Sequence, residues 1–176
     1  MSPTPVAGGR DADPGASDDD GPTPEIVEAD GPHDQVVERP RPSGVGSRRE
    51  ARERALALLY EAEAKSVPPA QVVDELVLPA EPFAAELVVG VGEHLDEIDA
   101  VIRAFAQGWT LERMPSIDRA LLRIGVFELL HRPDVPTGAV IDEAVALAKE
   151  FSTDDSGRFV NGMLAAVAAD VRGGGS

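Results

Sequence analysis

The sequence predicts an all-α fold: a single helical bundle of six to seven helices, preceded by a disordered N-terminal tail. Three observations predict it. Apolar residues recur at three- or four-residue intervals through the long segments after Ser47, the spacing of a helix with one buried face. No segment shows the strict alternation of a half-buried strand. Prolines stand where helices are expected to begin or to have just ended, at Pro69, Pro82, Pro133 and Pro136.

Residues 1–46 hold eight Pro, seven Gly and ten Asp or Glu against three Arg. Such a segment buries too little apolar surface to offset the entropy of ordering its backbone. The folded domain is therefore expected over 47–172, and the closing Gly-rich residues 173–176 read as a flexible tail. Of the net charge of −16, residues 1–46 carry −7 and the remainder −9. A domain this acidic does not attract nucleic acid nonspecifically, so any such site must be a local basic patch. The chain has no cysteine, which excludes disulfides, thiolate metal sites and cysteine nucleophiles. No secretory signal is visible, and the apolar runs are shorter than a membrane span. A cytoplasmic protein is the expectation.

In chain order, Ser47-Arg48-Arg49-Glu50 fits a capping box. The stripe Ala51, Ala55, Leu58, Leu59, Ala62 follows it. A short helix enters through Pro69. After Pro82, Phe83, Leu87, Val91, Leu95, Ile98, Ile102 and Phe105 repeat at helical spacing, with a break near His94–Asp96. Gly90 and Gly92 signal close helix contact. A loop bearing Trp109 leads to a helix capped by Ser116, with Ile117, Leu121, Ile124 and Leu129 inside and Arg123 in a structural ion pair. Val140, Ile141, Val145, Leu147 and Ala148 mark the next helix. The last carries Val160, Met163, Leu164 and Val167, with Asp155 or Ser156 at its cap.

The first helix poses a problem in electrostatics. Arg48, Arg49 and Arg52 share one flank near its N-terminus, where a cation costs roughly 0.3–1 kcal/mol. An anion from outside, such as RNA phosphate, would resolve it.

The segments "IDRALLRIGVFELLHRPDVPTGAVIDEAVALAKEF" and "FVNGML", with "RREARERALALLY" before them, resemble the NusB family of transcription antitermination factors. The resemblance covers about residues 47–172. It implies an all-helical protein that binds boxA RNA of ribosomal RNA transcripts with the ribosomal protein NusE. It also implies work in the RNA polymerase antitermination complex and assistance to ribosomal RNA maturation, with no cofactor. Arg48, Arg49 and Arg52 match family positions at RNA. Glu50 departs from the pattern, because the family often has another base there. Asp155, Arg158 and Phe159, at the start of the last helix, match or flank the same surface. Phe159 offers a ring for base stacking and is equally suited to the core. Asp155 suits a base donor or an N-cap. Tyr60 and Asp118 match positions facing NusE, and Glu112 is a weaker candidate beside them. Tyr60 also suits the core, and Asp118 also suits its own helix N-terminus. A monomer and a homodimer both fit the family.

Nothing points to catalysis. His33, His94 and His131 are scattered and form no HExxH, and there is no GxSxG or phosphate-binding loop. Two rivals share the helical pattern: a domain related to those fused to ribosomal RNA methyltransferases, and a protein-binding module without an RNA role. The acidic tail is itself an available substitute for RNA at the arginine stripe, tethered at an effective concentration near millimolar.

Overall fold

The computed structural model describes residues 45–173, with side chains from Arg48 onward. The expected disorder of the N-terminal tail, its contact with the arginines and the looseness of 174–176 lie outside the described residues. Seven α-helices are described: α1 (Val45–Lys65), α2 (Pro69–Asp74), α3 (Pro82–Glu93), α4 (Leu95–Phe105), α5 (Ser116–His131), α6 (Thr137–Phe151) and α7 (Ser156–Gly173). A 3₁₀ turn at Leu111–Arg113 precedes α5. No strand occurs among the described residues.

The central element is α5. It packs against α1, α3, α4, α6 and α7. Leu121, Leu122, Ile124, Val126, Phe127 and Leu129 are all buried along it, and so are Asp118 and Glu128, so most of its circumference faces other helices. The α1 stripe Ala51, Ala55, Leu58, Leu59 and Ala62 is buried as its spacing predicts. Each fully buried Leu or Val contributes roughly 1.5–3 kcal/mol over an exposed one. The break after α3 falls at His94, whose backbone closes one helix and opens the next.

Gly90 is the point of closest helix approach. A Cβ there would lie 2.2 Å from Phe127 Cζ, on a ring that is itself buried. Gly90→Ala is therefore expected to destabilise the fold by about 1–3 kcal/mol, the usual cost of overpacking, read as a lowered urea midpoint at unchanged m-value.

Two expected caps are absent. α1 begins at Val45, so Ser47 lies inside its first turn and does not precede it. No proline intervenes between Pro42 and Pro68 to stop the helix growing backward. Ser116 is the first helical residue of α5, not its cap. Pro115 occupies the cap position without a side-chain bond, and Ser116 Oγ instead accepts from Arg119 Nη2 at 3.3 Å. At the opposite end, Arg172 reaches from α7 to donate to the carbonyls of Glu128, Leu129 and Arg132. Glu128 and Leu129 lie in the last turn of α5 and Arg132 follows it directly, so Arg172 adds donors where the helix runs short of them. α7 itself runs on through Gly173.

Arg123 makes the expected ion pair. Its Nε and Nη2 donate to the two oxygens of Asp99 at 2.8 and 3.0 Å. Glu63 joins the same network. Hydrogen bonding from Arg119 holds its carboxyl below the usual carboxylate range, with burial opposing, and raises Arg119 in return.

Candidate nucleic-acid interface

The arginines of α1 separate into three environments. Arg52 is 3% exposed, and its Nε and Nη2 donate to Glu128 Oε2 and Oε1 at 3.0 and 2.7 Å. This overturns its expected place at an RNA-facing surface. A guanidinium held by both oxygens of a buried carboxylate has little left to offer a phosphate. Arg49 is half-exposed, with Nη2 donating to Glu150 at 3.0 Å and Nη1 3.8 Å from Glu143. Arg48 is exposed, and its guanidinium carbon lies 5.4 Å from the centroid of Phe83. The anion owed to Arg49 and Arg52 is thus supplied inside the domain by α5 and α6. Of the three, only Arg48 has no ion pair among the described residues. Glu50 and Arg54 are exposed.

Asp118 also differs from expectation. It is 3% exposed and cannot be a freely displayed steering charge. Its Oδ1 accepts from Ser152 Oγ at 2.5 Å and its Oδ2 from Ser156 Oγ at 2.8 Å. Thr153 N–H donates to Ser156 Oγ at 3.2 Å. The first turn of α5 therefore grips the connection between α6 and α7. A buried carboxylate needs such donors, and these serines supply them.

That connection displays Asp155 and the first turn of α7 displays Arg158, both exposed, while Phe159 is half-buried against the core. Phe159 thus packs on the core and keeps part of its ring exposed. Its ring lies 6.0 Å, centroid to centroid, from that of Trp109, at 39°. Two clefts open beside these rings. One, of about 450 Å³, is lined by Trp109, Arg113, Asp118, Asp155 and Phe159 among others. The second, of about 370 Å³, includes Phe105, Trp109, Arg158 and Phe159. Trp109 and Arg113 were not among the residues singled out by sequence. The available signal was a lone tryptophan in a glycine-containing loop.

A third cleft, of about 240 Å³, lies on the other side of the α5 N-terminus. Glu53, Leu56, Ala57, Tyr60, Ile117 and Phe151 line it. Tyr60 is 49% exposed and Phe151 42%, so this groove presents aromatic surface to solvent. Glu112 is exposed on the 3₁₀ turn. Its own backbone N–H holds its carboxyl below the usual range, with burial opposing and Thr110 assisting. It stays charged and accessible.

The histidines scattered in sequence are not all scattered in space. His94 and His131 stack with ring centroids 4.0 Å apart, and Glu97 Oε2 lies 2.9 Å from His131 Nε2 and 3.4 Å from His94 Nδ1. This is the three-ligand group among the described residues with metal-type donors. Both ring nitrogens face the same oxygen of Glu97, which gives them a partner within the protein. The group ties the α3–α4 junction to the end of α5. No helix among the described residues is long and apolar enough to cross a membrane.

The sequence model of the NusB family matches residues 49–169. Among curated relatives, the transcription antitermination protein NusB of Thermobifida fusca is 50% identical over 123 residues, covering 68% of this chain and 87% of that protein. Among solved structures, NusB of T. maritima superposes with a TM-score of 0.65 at 32% identity, covering 70% of this chain and 91% of that one. A chain from the crystal structure of antitermination factors NusB and NusE in complex with double-stranded RNA gives 0.61 at 29% identity, covering 70% and 96%. With the family match extending from the arginines of α1 through the aromatic edge of α7, the chain belongs to the NusB family.

Proposed function

We propose that this protein is an RNA-binding transcription antitermination factor. It recognises boxA of ribosomal RNA transcripts together with NusE, within the RNA polymerase antitermination complex in the cytoplasm, and it assists ribosomal RNA maturation. The observation that carries the reading is the α6–α7 connection with the start of α7. In an acidic domain, it places Arg158 and a half-buried ring, Phe159, beside the exposed Arg113 and Trp109. Arg49 reaches the same end of α6 through Glu150. Phosphate-positioning cations next to aromatic faces suit an unpaired RNA strand. A similar fold in a NusB–NusE–RNA complex supports the assignment. The groove around Tyr60 and Ile117, with the exposed Glu112 on the turn before α5, is the surface assigned to NusE.

The test is a titration of boxA RNA with and without NusE, repeated across salt concentrations. For a single strand, log K falls with log salt at about −0.7 per phosphate neutralised. The double substitution Arg48→Ala/Arg49→Ala is expected to make that slope shallower by about 1.4. Both side chains are partly or fully exposed, so helicity should be retained. An unchanged slope and affinity would remove α1 from the interface.

A further inference from the structure

We infer that Trp109 is a base-stacking residue, and that Trp109 and Phe159 form a two-ring platform on which one unpaired RNA base is held between Arg113 and Arg158. The inference rests on the RNA-binding reading above and extends it to a residue on a different segment of the chain.

Trp109 is 54% exposed, although its surroundings are built to hold it still. Gly108 adopts a positive φ of 77°, a conformation open to glycine without strain. The Trp109 N–H then turns back to the Ala106 carbonyl at 3.3 Å. On either side the turn is anchored, by buried Ala106 before it and by buried Leu111 and Met114 after it. A large apolar ring is therefore displayed in water by a fixed backbone, which has a cost and calls for an occupant.

The chemistry around the ring selects that occupant. The Phe159 ring, 6.0 Å away and tilted by 39°, leaves a face of each ring on an open cleft. Arg113 lines the first cleft and Arg158 the second. Both are exposed, and neither forms an ion pair among the described residues. Other arginines of this domain do pair: Arg49, Arg52, Arg119, Arg123 and Arg132 all have carboxylate partners. Two unpaired guanidiniums flanking two rings match a ligand with a flat apolar body and anionic ends, which describes a nucleotide within a strand. Asp155 lines the first cleft as well. Its carboxylate repels phosphate but accepts from an exocyclic amino group, so it favours a base edge at that point.

The chain has one tryptophan, so its fluorescence reports this residue alone. In the full-length protein, titration with a single-stranded boxA oligonucleotide should quench that emission. The same oligonucleotides carrying an abasic nucleotide at successive positions should restore it at one position. Trp109→Leu should weaken binding of labelled RNA by roughly 5- to 100-fold, in the range of one lost base stack, with the salt slope unchanged. Trp109→Phe should recover most of the affinity, and both variants should melt close to the wild type. RNA binding at normal affinity with no quenching, and no effect of Trp109→Leu, overturns the inference and leaves the RNA reading standing. Absence of any RNA binding by the wild type overturns both. Quenching by NusE in place of RNA, with Trp109→Leu weakening only that association, assigns the platform to protein and overturns it too.

Discussion

Arg52→Ala is expected to lower stability by about 3–5 kcal/mol, the cost of stranding one member of a buried ion pair. The remaining Glu128 is 1% exposed and would be left with no guanidinium against either oxygen. Glu128→Ala should cost a similar amount by the converse route. Against a typical domain stability of about 5–15 kcal/mol, either change removes a large fraction. The pair's own net worth is a different quantity, because desolvation offsets much of its attraction. The double substitution Arg52→Met/Glu128→Leu should therefore recover most of the loss. It also separates structure from function. Once refolded to near wild-type stability, the double variant is expected to bind boxA RNA with unchanged affinity and salt slope. A folded double variant with a shallower slope would show that Arg52 touches phosphate after all.

The same residue shows how far the sequence could be read. Arg48 and Arg52 are one helical turn apart on one flank of α1, and periodicity assigns them the same surroundings. What separates them is Glu128, 76 residues along the chain. A signal was present in the run "IGVFELL", where one carboxylate interrupts an otherwise apolar segment of the central helix. A charge in that position needs a buried partner of opposite sign. The helices themselves were legible because each carries its own evidence: Leu121 and Ile124 at helical spacing, Gly90 where Phe127 must fit, Pro69 and Pro82 at their starts. The site was legible only where a single segment carried it. Arg158 and Phe159 stand side by side in sequence, but Trp109 joins them from about fifty residues upstream. Likewise the stacking of His94 on His131 depends on how α3, α4 and α5 meet. No local pattern records such a meeting.

Asp118→Ala is expected to lower stability by about 3 kcal/mol and to weaken RNA binding at temperatures where the variant is still folded. Two hydrogen bonds to a buried carboxylate disappear together, from Ser152 and Ser156, and bonds to charged groups contribute roughly 1.5–3 kcal/mol each. The serines do not lose every partner, since Ser156 Oγ also lies 2.9 Å from Ser152 Oγ and 2.8 Å from Thr153 Oγ1, so the two contributions should not add in full. The effect on RNA follows from position. Ser152 and Ser156 bracket the segment that leads to Asp155, Arg158 and Phe159, while the adjoining Phe151 and Ile117 line the Tyr60 groove. One carboxylate thus fastens the wall shared by the cleft proposed for RNA and the groove proposed for NusE. Asp118→Asn distinguishes this role from a direct contact of the charge with NusE. The amide keeps one acceptor for a serine hydroxyl and removes the charge, so a fastening role predicts that RNA affinity is largely restored relative to Ala and that the NusE association rate at low salt is unchanged. A marked slowing of that rate in Asp118→Asn, with stability and RNA affinity intact, would mean that the charge acts on NusE directly, and the fastening role would fall.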